Sequence, residues 1–224
     1  MAKTAILVDG GFYLRRSRSL WGRKSPSERA DELHEYCVKH ITLRRDRKLE
    51  TGDRSLYRIF YYDCPPLDQG AIKQPWSLHN TVFSKSNPNN KWARDFQAEL
   101  AKKRKIAMRM GELNAKNAHY NLREESLKLL LSGKKQVSEL DEADYVLVGL
   151  KQTGVDMRIG LDVASLSNGS TVDQIVLIAG DSDFIPVAKV ARRAGVDFII
   201  DPMGHNVSEE LIRQVDGIED LARS

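Results

Sequence analysis

The chain has 224 residues, of which 41% are hydrophobic and 29% charged, and its net charge is +4. That length suits one α/β domain with elaborations, and the apolar content is enough for a sizeable core, which excludes wholesale disorder. No apolar run approaches bilayer-spanning length, and no signal-peptide core precedes the first strand. Cys37 and Cys64 lack metal-binding or disulfide-framework spacing, so a reducing cytoplasm is the expected setting, with no membrane partner.

Residues 4–8 (TAILV) form a short apolar run that closes on Asp9, followed by Gly10 and Gly11. A helix or turn then carries Arg15, Arg16 and Arg18 to about Trp21, with Arg23 and Lys24 beyond. Pro26 to Glu28 mark a helix start, and Leu33, Tyr36, Cys37 and Ile41 keep helical spacing until Arg44, Arg45, Arg47 and Lys48 end the element. A turn at Thr51-Gly52-Asp53 leads to an aromatic strand over 56–62, which closes on Asp63. Cys64-Pro65-Pro66 stops it, because proline has no N–H for the ladder.

Residues 64–140 read as an elaboration of helices and loops. It contains a polar loop at 84–90, a helix at 92–103, a basic block at 102–105, a strand at 106–110 and a helix at 122–131. Residues 145–149 (YVLVG) suit a short strand and a buried helix start equally. A helix follows Gly154, over about 155–167. The strand at 175–179 runs through Gly180 into Asp181 and Asp183, a helix follows over 183–194, and a strand at 196–200 closes on Asp201 ahead of a last helix at 207–214. Such alternation predicts an α/β fold in one domain over 1–224: a mostly parallel sheet flanked by helices.

Four strands each deliver an aspartate just past the apolar run, and in open α/β sheets the ligand crevice lies outside those carboxyl ends. Aspartates from different strand ends can hold a hard divalent cation without His or Cys, because Mg²⁺ takes one or two carboxylates and keeps waters. Asp181 and Asp9 lead this set, followed by Asp156, Asp183 and Asp162. Capping explains Asp183 or Asp156 equally well; Asp9, and still more Asp181, are harder to explain as caps. Asp162 lies about 120° around the helix from Asp156, as a supporting group or a surface residue. Turn chemistry is the better account of Asp63 and Asp201. Tyr61 and Tyr62 should alternate, one packed and one near the crevice rim.

Any one basic block is explained slightly better as a solvated face or helix C-terminus than as a phosphate site. The cluster after Asp9 adjoins the proposed site, so Arg15, Arg16 and Arg18 are assigned to nucleic acid. The five histidines lack paired-ligand spacing, and a surface loop accounts for His205. Neither a nucleophile elbow, a GxxxxGK[ST] loop nor a GxGxxG fingerprint is present.

Four segments carry a resemblance: ILVDGGF at 6–12, KQTGVDMRIGLD at 151–162, IVLIAGDSDF at 175–184 and ARRAGVDFIIDP at 191–202. Together they resemble the NYN-domain family of PIN-like, metal-dependent ribonucleases, most closely its bacterial uncharacterised branch. The resemblance spans about half the chain and is thin across 64–140. It implies a Rossmann-like PIN fold, Mg²⁺ or Mn²⁺, and Asp9, Asp156, Asp181 and Asp183 as acidic metal-site positions, with Asp162 a motif aspartate. The chain departs from the family at Gly11 and Phe12, where many members carry Asn, and at Thr153, where the lysine beside GVD is replaced and Lys151 lies two residues earlier.

The resulting expectation is a metal-dependent nuclease acting on nucleic acid, RNA before DNA, with Lys151 a further contact. A regulatory binding module of the same fold ranks second, and a phosphohydrolase for small metabolites third. A homo-oligomer is a base-rate expectation.

Overall fold

A computed structural model of the chain describes residues 2–42, 54–66, 88–114, 116–149 and 151–223. In chain order its elements are β1 (Ala2–Asp9), α1 (Gly10–Trp21), α2 (Pro26–Thr42), β2 (Arg54–Asp63), α3 (Pro88–Ala101), β3 (Ile106–Met110), β4 (Glu112–Asn114), β5 (His119–Leu122) and α4 (Glu124–Leu131). They continue with β6 (Tyr145–Val148), β7 (Lys151–Thr153), α5 (Val155–Asn168), β8 (Gln174–Ile178), α6 (Ile185–Arg193), β9 (Asp197–Asp201), α7 (Glu209–Ile212) and β10 (Gly217–Ile218).

Six strands form the central sheet in the order β10-β9-β8-β1-β2-β3, every neighbouring pair parallel. The expected α/β fold is therefore present. The apolar runs of β1 and β8 are uninterrupted because both faces of a parallel sheet are covered. Alternation still sorts them: Ala5, Leu7, Tyr62 and Leu177 face α5, α6 and α7, through Ile159, Val163, Ala188 and Leu211. Ile6, Val8, Tyr61 and Val176 face α1, α2 and α3, through Tyr13, Leu33, Tyr36 and Phe96. Each fully buried aliphatic side chain contributes about 1.5–3 kcal/mol by leaving water.

Starting from β1, the chain builds outward to β2 and β3, then returns to the other side of β1 as β8 and continues to β9 and β10. The order thus reverses between β1 and β8, and a crevice opens at their carboxyl ends. Register places Val8 opposite both Ile178 and Tyr61, and Asp9 opposite Tyr62, so Asp9, Asp63 and the segment after β8 share one edge.

Two small antiparallel pairs, β4 with β7 and β5 with β6, elaborate this sheet between Glu112 and Thr153. Residues 145–148 are thus a strand. Asp144 anchors the elaboration: it accepts from Ser126 Oγ at 2.8 Å and from Lys135 Nζ at 2.6 Å. Although α3 and β3 fall within the span read as an insertion, α3 packs into the core and β3 joins the main sheet.

Candidate metal and nucleic-acid site

Asp9 ends β1 and caps α1, its Oδ1 accepting from Phe12 N–H at 3.0 Å. The strand passes into the helix without a loop because residue 10 is glycine: a Cβ there would lie 2.5 Å from the Tyr61 ring and hydroxyl and 2.7 Å from the Tyr62 carbonyl. Asp63 ends β2 alongside. Its Oδ1 accepts from Cys64 N–H at 2.7 Å, and its Oδ2 from Tyr61 Oη at 2.8 Å and Gln97 Nε2 at 3.4 Å. Asp156 stands in the first turn of α5, behind Gly154 at φ +81°. Beyond β8, Asp181 caps a 3₁₀ turn over Ser182–Phe184, accepting from Asp183 N–H at 3.0 Å.

Electrostatics joins these groups. Burial raises the Asp9 pKa; the Phe12 N–H and Arg15 pull it back, and Asp156 and Asp63 push it up further. Asp156 is raised by loss of water first and then by Asp181 and Asp183. Burial also raises Asp63, against the pull of its three donors. Like charge thus acts on Asp9 from Asp156 and Asp63, and on Asp156 from Asp181 and Asp183, a charge pattern along the crevice edge that a cation relieves.

The donor set is oxygen alone, which fits a hard divalent ion rather than zinc or copper. Asp9 and Asp181 each use Oδ1 as a cap and have no hydrogen bond from a described residue to Oδ2. Asp156 and Asp183 receive no hydrogen bond to their carboxylates from the described residues, and both are exposed. Among the described residues no three His, Cys, Asp or Glu groups close in as a ready ligand cage.

Capping falls on other residues than the spacing suggested. Asp9 and Asp181 are the caps, whereas α5 starts on Gly154 and α6 on Phe184. Asp162 stands apart, its Oδ2 accepting from Tyr62 Oη and Arg109 Nε, both at 2.8 Å. Asp201 is fully buried and structural, held by Tyr36 Oη at 2.6 Å, His40 Nε2 at 2.8 Å and Met203 N–H at 2.8 Å. Asp63, read as a turn residue, ends the strand next to the one that ends on Asp9 and is held by Tyr61, Gln97 and the Cys64 N–H. Its one sequence signal is the ending it shares with Asp9, while Gln97 comes from a distant helix and has none. Tyr61 and Tyr62 do alternate between faces, yet both are fully buried and neither reaches the rim.

The arginines of α1 diverge. Arg15 is exposed and draws down Asp9; Arg16 gives Nε and Nη2 to the Met203 carbonyl at 3.0 and 2.8 Å; Arg18 lies 5.0 Å over the Trp92 ring. Lys151 opens β7, and its side chain lies outside the described structure. Arg44, Arg45, Arg47 and Lys48 lie outside the described residues.

The family model of the NYN domain matches residues 82–222. The chain belongs to the NYN-domain family. NYN domains are part of the PIN-like nuclease superfamily. This NYN domain matches through the stretch where motif resemblance is thin, while Asp9 and Asp63 precede the matched span. A comparison with curated proteins finds no match. A solved structure of a Vibrio parahaemolyticus protein of unknown function is similar, with 14% identity, 98% of this chain and 93% of that one covered, and a TM-score of 0.49. No described helix is long and apolar enough to cross a membrane.

Proposed function

We propose that this NYN domain is a divalent-metal-dependent nuclease that hydrolyses phosphodiester bonds, in RNA before DNA. The observation that carries the reading is the gathering of Asp9, Asp63, Asp156, Asp181 and Asp183 at the carboxyl edge of a parallel sheet, beside its switch point. Asp9, Asp156, Asp181 and Asp183 are the carboxylates that would hold Mg²⁺ or Mn²⁺; Asp162, engaged by Arg109 and Tyr62, is left out. Bound there, such an ion would supply Lewis acidity to a phosphodiester and to an attacking water.

The chain's own residues do the rest. Capping fixes the Asp9 and Asp181 carboxylates against the backbone, so each presents one oxygen without rotamer freedom. Asp63, held by Tyr61, Gln97 and Cys64, sustains negative charge behind Asp9. Arg15, beside Asp9, contacts a backbone phosphate, which gives register and affinity rather than sequence choice. The preference for RNA rests on family resemblance alone.

A second reading, a binding or regulatory module with little turnover, draws on the lack of a closed ligand cage among the described residues. One experiment separates the two: end-labelled single-stranded RNA, and DNA of the same sequence, incubated with Mn²⁺, Mg²⁺ or EDTA beside Asp181→Asn. The nuclease reading expects metal-dependent cleavage of RNA that Asp181→Asn abolishes while folding is kept, since Asn also caps. RNA retained but uncut favours the module. Cleavage by Asp181→Asn at the parent rate sinks the site.

A further inference from the structure

The turn after β9 is built against conformational preference. His205 N–H closes onto the Pro202 carbonyl at 2.8 Å, and the two central residues, Met203 and Gly204, have φ of +47° and +73°. Two positive φ values inside such a bond make a turn of type I′, which glycine adopts freely and methionine does not. Strained backbone persists only where its surroundings overdetermine it, and it gathers at functional sites. Here the surroundings are evident. Asp201 accepts from Met203 N–H at 2.8 Å, Arg16 clamps the Met203 carbonyl with two N–H groups, Asp220 accepts from Gly204 N–H at 2.9 Å, and Arg223 donates to the Gly204 carbonyl at 2.7 Å. Three residues on, Ser208 Oγ meets Ser182 Oγ at 2.9 Å, tying the segment to the turn that Asp181 caps.

What this fastening presents is the imidazole of His205. It is exposed, and it meets the edge of Phe12 with centroids 6.2 Å apart. It also lies against Gly180, where an added Cβ would be 3.1 Å from its Cδ2. Phe12 is the residue whose N–H Asp9 caps, and Gly180 directly precedes Asp181. The ring therefore sits where β1 and β8 meet at the crevice, and neither ring nitrogen has a hydrogen-bond partner among the described residues.

We propose that His205 is a substrate-contacting residue, donating an imidazole N–H to a phosphate oxygen of the nucleic-acid strand lying across the carboxylates. This inference rests on the nuclease reading and adds to it a specific phosphate contact from the far side of the switch point. It also gives Arg16 a different task from Arg15: Arg16 positions the turn that carries His205.

The test measures binding of a short single-stranded RNA in EDTA, in an Asp181→Asn background, for the parent, His205→Ala and His205→Asn. A lost hydrogen bond to a charged phosphate should weaken binding about tenfold in His205→Ala, with an unchanged thermal midpoint, and less in His205→Asn, which keeps a donor. Methylphosphonate substitution, moved one phosphate at a time, should weaken the parent at one position where His205→Ala shows no further loss. Equal affinity of parent and His205→Ala, with the same methylphosphonate profile, overturns the proposal. If the enzyme with Asp181 intact still cleaves RNA, only the His205 assignment falls; if nothing is bound or cut, the nuclease reading falls with it.

Discussion

Asp9 does two jobs with one side chain: Oδ1 caps α1, and the carboxylate as a whole bears the repulsion of its neighbours. The two can be separated by substitution. Asparagine caps as well as aspartate, whereas alanine loses about 1 kcal/mol at a cap. Because the folded-state pKa of Asp9 is raised above 3.8, its favourable contribution is complete below that value and is lost as pH rises through the folded one. At neutral pH its ionised form therefore opposes folding, and Asp9→Asn should raise the metal-free thermal midpoint while abolishing cleavage. A lowered midpoint would mean that Asp9 is a structural anion. Glycines at the site are equally exacting. Gly10→Ala drives a methyl into the Tyr61 ring and the Tyr62 backbone, and urea unfolding should show a loss of about 1–3 kcal/mol. A neutral result would indicate that α1 can shift away from β2.

At the scale of elements, α2 is fastened to the β9–β10 edge by a buried polar network. His40 contacts Asp201 at 2.8 Å and Glu219 at 3.3 Å, and Arg54 donates to Glu219 at 2.7 Å. Burial pushes the His40 pKa down, but the hydrogen bonds to Asp201 and Glu219 outweigh it and hold it above 6.5. Glu219 is likewise pushed up by burial yet held at about 2 by His40 and Arg54. The signs follow from linkage. Stability from Glu219 is complete above 4.5 and falls away as pH drops toward 2, while stability from His40 is complete below 6.5 and declines as pH rises through its raised value. The contribution of this network should therefore be level between about pH 4.5 and 6.5, a profile that the difference between parent and His40→Ala in urea titrations at several pH values can check. His40→Ala should remove the alkaline decline and cost about 3 kcal/mol, because it leaves Asp201 buried with one donor fewer. An unchanged alkaline limb in that variant would assign the decline to another group.

For the whole molecule, the consequence of crowding carboxylates at one sheet edge is a linkage between cation and fold. An ion that binds only the folded chain stabilises it by about 2.7 kcal/mol at a hundred times its Kd, or about 5–10 °C in midpoint for a chain of this size. Mn²⁺ should raise the parent's midpoint on that scale, EDTA should reverse the rise, and Asp156→Asn should blunt it. A midpoint indifferent to Mn²⁺ and Mg²⁺ would remove the metal from the proposed function. The switch point makes this coupling possible, since it sets Asp9 and Asp63 from the first half of the chain against Asp156, Asp181 and Asp183 from the second.

Local physics made much of this legible in the sequence. Short apolar runs of five to seven residues ending at or just before an aspartate are complete signals in themselves, because side-chain alternation and turn chemistry act over neighbouring residues. They marked β1, β2, β8 and β9 and put Asp9, Asp63, Asp181 and Asp201 at one edge. Which of those aspartates meet was decided by strand order. Asp63 lies beside Asp9 because β2 pairs with β1, whereas Asp201 is drawn by α2 into a buried network with Tyr36 and His40. Similarly, Arg15, Arg16 and Arg18 look alike in sequence and part company only through what packs against α1: a carboxylate, a carbonyl of a distant turn and an indole. His205, a surface-loop residue by sequence, reaches the crevice because a strained turn is held from Arg16, Asp201, Asp220 and Arg223, groups spread over more than two hundred residues. Pairing and packing join positions whose separation in the chain carries no local pattern, and that is why the elements were readable from the sequence and the company each side chain keeps was not.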